Sequence, residues 1–180
     1  MPETFKTVLE SEVLFSELML PTYANFRGNI HGGYVLSLMD KIAFACASKH
    51  SKHYCVTASV DTVDFLNPIG IGELLTMKAC VNYVGRSSMV VGIRVESENI
   101  QTGEKKHCNS SYFTMVAKDE EGKNAVVPGL ILSNNQEKRR FIKALRRLET
   151  KKSKSDELTA ANFNPDKYKD ELLKHNVKLV

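Results

Sequence analysis

The sequence predicts an α+β fold in which one long helix packs on a face of an antiparallel sheet. The helix is expected over residues 32–49, because this apolar run contains no proline and is too long for a single strand. Four strand-like segments follow it, separated by short turns rich in Gly, Asn, Pro and Ser. Short turns favour antiparallel pairing, and the apolar face of such a sheet must be covered, so helix and sheet should form two layers.

The strands are expected in five places. The first lies before the helix, over residues 13–20, and Pro21 ends it. The other four cover residues 56–66, 73–84, 89–96 and 106–118. In the segment 89–96 every second residue is apolar, as in a half-buried strand, and these residues are Met89, Val91, Ile93 and Val95.

One carboxylate, Asp40, interrupts the apolar pattern of the predicted helix. At about 100° per residue, the helix has a narrow polar stripe and an apolar opposite face. The stripe consists of Ser37, Lys41 and Ser48, and the opposite face of Val35, Met39, Ile42 and Cys46. Asp40 lies at the edge of the stripe, so we expect it outside the buried face.

A composition change at Pro128-Gly129 predicts a boundary between a domain at 8–128 and an extension at 129–180. The extension is strongly basic and is expected to form a helix over residues 135–152. A thin apolar stripe runs along that helix, formed by Phe141, Leu145 and Leu148. A second, short helix is expected over residues 165–175.

Composition limits the classes of function. The chain has 180 residues, 42% of them hydrophobic, and a net charge of +4, which does not by itself indicate a nucleic-acid-binding protein. No C-x-x-C pair occurs among the four cysteines, which favours reduced thiols and a cytoplasmic protein. The N-terminus lacks the basic and apolar regions of a signal peptide, and no segment is expected to span a membrane.

The segment 25–40 carries the strongest chemical signal. Gly32 and Gly33 stand at the predicted helix start, where unpaired N–H groups and the positive end of the helix dipole suit a developing negative oxygen. Asp40 follows about two turns later and is a candidate base or nucleophile. No G-x-S-x-G motif is present, which argues against a serine hydrolase.

Three motifs occur in order along the chain: Asn25-x-x-Gly28-Asn29-Ile30-His31-Gly32-Gly33, then Met39-Asp40, then Gly85-Arg86-Ser87-Ser88-Met89. In this order and spacing they resemble the acyl-CoA thioesterases of the hotdog fold. The similarity is greatest to the broad-specificity bacterial acyl-CoA hydrolases and the brain-type long-chain enzymes. It extends over roughly residues 8 to 120.

The resemblance implies a long helix wrapped by a curved antiparallel sheet, with protomers paired edge to edge and often assembled as trimers of dimers. It implies that Asp40 is the catalytic carboxylate and that Asn25 contributes to the partner subunit's site. The N–H groups near Gly32 and Gly33 would polarise the thioester carbonyl. CoA contacts are implied for His31, Gly85, Arg86, Ser87 and Ser88, and CoA is substrate and product rather than a cofactor. No metal is implied.

Each of these residues also has a structural interpretation. Asp40 could be a solvated helix acid, Gly32-Gly33 an ordinary helix start, His31 a structural loop histidine, and Asn25 and Arg86 turn residues. A second alternative is a metal site formed by Cys46, His50, His53 and Cys55. It is less favoured, because both cysteines stand in patterns typical of buried positions.

Three classes of function therefore remain open. The first is a thioesterase acting on acyl-CoA. The second is an acyl-CoA-binding or sensor protein on the same fold without turnover. The third is an interaction protein that uses the basic C-terminal helix, for which subunit packing is favoured over RNA or an anionic membrane. A hotdog dehydratase is a weaker enzymatic alternative, because the His/acid loops expected of one are not evident.

Overall fold

A computed structural model describes residues 4–154 and Lys174. The helices are α1 (Val8–Ser11), α2 (Gly32–Ser51) and α3 (Asn135–Lys154). The strands are β1 (Phe5–Thr7), β2 (Val13–Leu18), β3 (Tyr54–Val60), β4 (Glu73–Val84), β5 (Ser88–Asn99), β6 (Lys105–Lys118) and β7 (Gly129–Ile131). No helix among the described residues is long and apolar enough to cross a membrane.

Five strands form one antiparallel sheet in the order β2-β4-β5-β6-β3. The register places Ala79 of β4 opposite Ile93 of β5, and Ile93 opposite Ser111 of β6. The sheet curls around α2, which contacts all five of its strands. This is the helix wrapped by a curved sheet that defines the hotdog fold, so the predicted fold is confirmed.

The core lies between α2 and the inner face of the sheet. The apolar face predicted for α2 is buried there, together with alternate residues of the three central strands. The alternation predicted for β5 is also observed, since Met89, Val91, Ile93 and Val95 are all buried. Asp40 is exposed, as its edge position on the helix predicted.

The strand predicted over residues 56–66 is shorter than expected, because β3 ends at Val60. Beyond it the chain continues beside β6 but makes few ladder bonds. Two backbone bonds, from Asp61 N–H to Tyr112 O and from Leu66 N–H to Cys108 O, bracket the segment. Between them the side chains of β6 bond its carbonyls, as in the 2.9 Å bond from Asn109 Nδ2 to Asp64 O. We call residues 61–66 the tethered segment.

The N-terminal region contains elements that the sequence analysis did not predict. Helix α1 begins with a capping box, in which the Thr7 and Glu10 side chains satisfy each other's backbone N–H groups. Strand β1 pairs in parallel with β7, Phe5 lying opposite Gly129. Backbone pairing thus joins residues that lie before 8 and after 128. The division into a domain at 8–128 and an extension at 129–180 stays a prediction.

The chain divides into two compact units, residues 1–144 and 145–180. Within the first unit, the beginning of α3 covers part of the outer face of the sheet: Phe141 packs on Tyr83 with ring centroids 5.1 Å apart, and Ala144 is buried. In the second unit the structure describes the rest of α3, in agreement with the helix predicted over residues 135–152. The short helix predicted over residues 165–175 lies outside the described residues, except for Lys174.

Candidate active site

The loop before α2 is a tight structure organised by Asn25. Its Oδ1 accepts hydrogen bonds from the N–H groups of Arg27 (2.9 Å) and Asn29 (3.3 Å). Its own N–H donates to Asn29 O at 2.7 Å, and Gly28 takes a positive φ of 79° to close the turn. Asn25 therefore shapes its own loop, whose tip carries the fully exposed ring of Phe26.

Two stacked tyrosines fix this loop to the first turn of α2. The rings of Tyr23 and Tyr34 lie 3.9 Å apart, and both hydroxyls donate to Glu17 Oε1. Burial, with the neighbouring Tyr23 and Glu17, raises the pKa of Tyr34, which keeps its hydroxyl protonated as a donor. The loop and the helix start therefore form one unit.

Helix α2 begins with two backbone donors that have no partner among the described residues. The carbonyl of His31 accepts from the N–H groups of Tyr34 and Val35, and the His31 side chain makes no capping bond. The N–H groups of Gly32 and Gly33 are thus left unbonded at the positive end of the helix dipole. A hydrogen-bond acceptor with negative charge would be stabilised at this position.

Asp40 forms a hydrogen bond with a residue that the sequence analysis did not select. Thr57 Oγ1, on β3, donates to Asp40 Oδ1 at 2.6 Å. Thr57 lies opposite Met115 beside a register shift between Thr57 and Ser59, and it is exposed. A threonine in a Val/Thr-rich strand carries no recognisable sequence signal, so only the packing of β3 against α2 reveals the pair.

Gly33 and Asp40 share one face of α2 but are separated along it. Seven residues make about two turns, so the two positions are nearly aligned and about 10 Å apart along the axis. Hydrogen bonds to one reacting carbonyl group require donor–acceptor distances of about 3 Å. The carbonyl group of one thioester therefore cannot be in direct contact with both groups of the same protomer.

The turn Gly85-Arg86-Ser87-Ser88 lies near the other end of α2. Ser87 O accepts from Ala117 N–H, and Ala117 pairs with Cys55 close to the C-terminal end of the helix. Gly32, by contrast, contacts Phe65, ten residues further along the chain from Cys55. The turn is closed by a bond from Gly85 N–H to Ser88 O, and Arg86 is exposed. Within one protomer the structure does not bring this turn to the N-terminus of α2.

The alternative metal site has little support from the geometry. His50 Nε2 bonds the carbonyl of Pro128, and Cys55 Sγ bonds Ser51 Oγ. Cys46 and Cys55 are both buried in apolar surroundings. No three Cys, His, Asp or Glu side chains of the described region are grouped so that they could hold a metal ion.

A cavity of about 710 Å³ opens on the outer face of the sheet, away from α2. It lies between α1, strands β2, β4, β5 and β6, and Arg140 of α3. None of the residues selected from the sequence lines it. We therefore place the candidate site on α2, at the free N–H groups of Gly32 and Gly33 and at the carboxylate of Asp40, and not in this cavity.

The chain is similar to known proteins in both sequence and structure. The thioesterase superfamily matches residues 27–104. Protein VdlD of Helicobacter pylori (strain ATCC 700392 / 26695) is 46% identical over 146 residues, which are 81% of this chain and 83% of that protein.

Solved structures agree with this assignment. A hexameric acyl-CoA thioesterase in its apo form is 38% identical, with a TM-score of 0.83 over 85% of this chain and 98% of that chain. The acyl-CoA hydrolase of Staphylococcus aureus, solved with butyryl-CoA, CoA and CoA disulfide, is 32% identical, with a TM-score of 0.79 over 95% and 99%. That hydrolase has also been solved as variants with one Asp, one Thr or one Asn replaced by Ala.

The fold and these similarities define the class, which is the hotdog-fold thioesterases. The chain belongs to the thioesterase superfamily and, within it, to the enzymes of the acyl-CoA thioesterase family.

Proposed function

We propose that this enzyme hydrolyses acyl-CoA thioesters to a free fatty acid and CoA. The observation that carries the proposal is the arrangement on α2, which begins with two unbonded N–H groups and carries a hydrogen-bonded carboxylate two turns further, in line with Gly33. Support comes from the similar S. aureus hydrolase, which binds butyryl-CoA and CoA and was studied with Asp, Thr and Asn variants. Asp40, Thr57 and Asn25 are the corresponding residue types in our site.

In the proposed reaction the N–H groups of Gly32 and Gly33 donate to the thioester oxygen and stabilise the negative charge that develops on it. Asp40 acts in one of two ways. As a general base it takes a proton from the attacking water, and as a nucleophile it forms an anhydride that water then hydrolyses. In both cases the C–S bond breaks and the CoA thiolate is protonated. The chemistry needs no metal or cofactor.

We further propose that each site is shared by two protomers. The separation of about 10 Å between Gly33 and Asp40 supports this, because the donors of one chain and the carboxylate of another can then meet at one thioester. Strand β3 is a free edge of the sheet, and an unpaired edge is a template for a second copy. Its exposed Tyr54 packs on Phe44 of α2 and extends the surface available to the partner.

Asn25 is proposed to contribute to the active site that contains Asp40 of the partner subunit. The position of the turn Gly85–Ser88, far from its own Gly32, supports CoA contacts from this turn to another protomer's substrate, with Arg86 as phosphate ligand. His31 is proposed to contact CoA at the helix start.

By similarity to hexameric relatives we propose a trimer of dimers. The four free, buried thiols support a cytoplasmic location.

The test is a thiol-release assay with acyl-CoAs from acetyl to palmitoyl on the wild type and Asp40→Asn. Asparagine keeps the shape of the side chain and can still accept from Thr57, but it cannot act as base or nucleophile. We expect thiol release by the wild type and a loss of at least about 1000-fold in kcat for Asp40→Asn.

Asp119→Asn is the matched control, because Asp119 only accepts from N–H groups of its own turn and asparagine can do the same. It should keep wild-type activity. Binding of acyl-CoA without thiol release by the wild type would contradict the proposal and indicate the acyl-CoA sensor instead.

A further inference from the structure

The ring of Phe65 lies directly against Gly32. A methyl group added at Gly32 would meet the ring carbons Cζ and Cε2 at 3.1 and 3.4 Å, whereas one added at Gly33 would meet nothing within 4 Å. Gly32 is not among the glycines with positive φ. A side chain at this position is therefore opposed by the close approach of the ring, which would have to shift by a few tenths of an ångström, and not by the backbone conformation.

The position of Phe65 is fixed by its segment. The tethered segment is bonded to β6 on both sides of Phe65, through the bonds of Asp64 O with Asn109 Nδ2 and of Leu66 N–H with Cys108 O, each 2.9 Å long. Phe65 itself is 49% exposed, so its ring is only partly used in packing. A large aromatic ring is thus held half in solvent and against the residue that offers a free N–H group.

We propose that Phe65 is a positioning residue that keeps water away from the N–H group of Gly32 and so strengthens its hydrogen bond to the substrate oxygen. This inference rests on the function proposed above. A hydrogen-bond donor stabilises the transition state more strongly in a site from which water is excluded, because the surroundings then screen the developing charge less. Gly32 and Phe65 act as a matched pair, since the ring approaches Gly32 more closely than it could approach a residue with a Cβ.

The test is a double-mutant cycle with Gly32→Ala, Phe65→Ala and the double variant. Alanine at position 32 keeps the N–H group but pushes the ring away, and Phe65→Ala removes the ring. Each single variant should lower kcat about tenfold with little change in KM, which is less than the ~100-fold expected for losing a donor altogether. In the double variant the two effects should not add, because both remove the same shield.

Leu66→Ala is the matched control. Leu66 is the next residue of the same segment, is 59% exposed, and keeps its backbone bond to Cys108 in the variant. It should leave kcat and KM unchanged, and Phe65→Leu should recover part of the lost kcat. Additive effects of Gly32→Ala and Phe65→Ala, or a wild-type kcat for Phe65→Ala, would overturn the inference.

Amide hydrogen exchange tests the shielding without reference to activity. In peptides that cover residues 31–35, Phe65→Ala should accelerate deuterium uptake at the unbonded amides, and Leu66→Ala should not. Equal uptake in the wild type and Phe65→Ala would overturn the inference even if the enzyme is active. If Phe65→Ala accelerated uptake but the wild type hydrolysed no acyl-CoA, the shielding of Gly32 by Phe65 would stand and the proposed function would be rejected.

Discussion

Asp40, the carboxylate proposed to act in catalysis, is oriented by one neighbouring side chain, Thr57. A carboxylate on an exposed helix face can rotate freely, and a 2.6 Å hydrogen bond from Thr57 Oγ1 selects one orientation. The bond joins α2 to β3, so Asp40 is oriented relative to the sheet as well as the helix. Because both side chains are exposed, the bond contributes little to stability and its effect should appear in catalysis.

Thr57→Val keeps the shape of the side chain and removes the hydroxyl group. We expect kcat to fall about tenfold, corresponding to ~1.4 kcal/mol of transition-state stabilisation, because Asp40 loses its fixed orientation. The free energy of unfolding should change by less than about 0.5 kcal/mol. Steady-state kinetics and urea unfolding measure the two quantities.

Thr57→Ser is the control for that experiment, since it retains the hydroxyl group. It should keep most of the activity. If Thr57→Ser were as impaired as Thr57→Val, the methyl group rather than the hydrogen bond would be the important feature.

Among the secondary-structure elements, α2 has two ends with different roles. The N-terminal end is fixed by the stacked tyrosines and carries the free N–H groups. The C-terminal end is anchored by His50, which is fully buried, donates from Nε2 to Pro128 O (3.0 Å) and accepts from Lys6 Nζ at its carbonyl (2.6 Å). Residues before β7 and within β1 are thus fastened to the end of the helix.

His50 should make the stability of the protein depend on pH. Burial lowers its pKa, and Lys6 adds to this, while the bond to Pro128 and the charge of Glu10 oppose it. The unfolded state, with a pKa of about 6.5, therefore takes up the proton first. The contribution to stability is complete above about pH 6.5 and is lost as the pH falls below that value, towards the lowered pKa of the folded state, with a slope of at most ~1.4 kcal/mol per pH unit.

Urea unfolding between pH 7.5 and 5, at constant protomer concentration, measures this slope. His50→Gln keeps a donor for Pro128 O but does not titrate, so its slope should be smaller than that of the wild type. Parallel pH profiles of the two proteins would show that His50 does not contribute.

In the proposed arrangement of the whole molecule, an active site is complete only where two protomers meet. One protomer holds all the expected groups, but α2 separates Gly33 from Asp40, and the turn Gly85–Ser88 lies near the end of α2 opposite to Gly33. A dimer through the free edge of β3 would hold two equivalent shared sites, because a two-fold interface repeats each contact.

Subunit complementation tests the shared site. In a heterodimer of Asp40→Asn and Asn25→Ala protomers, one site should contain both native residues and the other neither. Mixing and reassembling the two inactive variants in equal amounts makes about half of the dimers heterodimers, so about a quarter of wild-type activity should return. Activity is measured by thiol release before and after reassembly.

Asp40→Asn alone, passed through the same dissociation and reassembly, is the control and should stay inactive. Failure of the mixed sample to regain activity, with mixed dimers demonstrated, would mean that Asn25 and Asp40 serve the same protomer's site.

Much of this architecture could be predicted from the sequence, because it depends on local patterns. The long helix and the sequence of strands follow from hydrophobic period and turn residues, and the exposure of Asp40 follows from a helical wheel. The capping box at Thr7 and Glu10 likewise has a local sequence pattern, Thr-x-x-Glu. The tethered segment was predicted as strand because its composition is strand-like, but side chains of β6 bond its carbonyls instead.

The succession of helix and strands, the start of α2 and the carboxylate two turns beyond it can be predicted from the sequence, since the patterns that indicate them are local. The groups that meet across the fold are known only from its packing: Thr57 with Asp40, Phe65 with Gly32, and the stacked tyrosines with Glu17. These contacts join residues 17 or more positions apart in most cases, and such distances are set by packing of the helix on the sheet. For the same reason Gly32 and Gly33, equivalent in the sequence, have different surroundings in the fold.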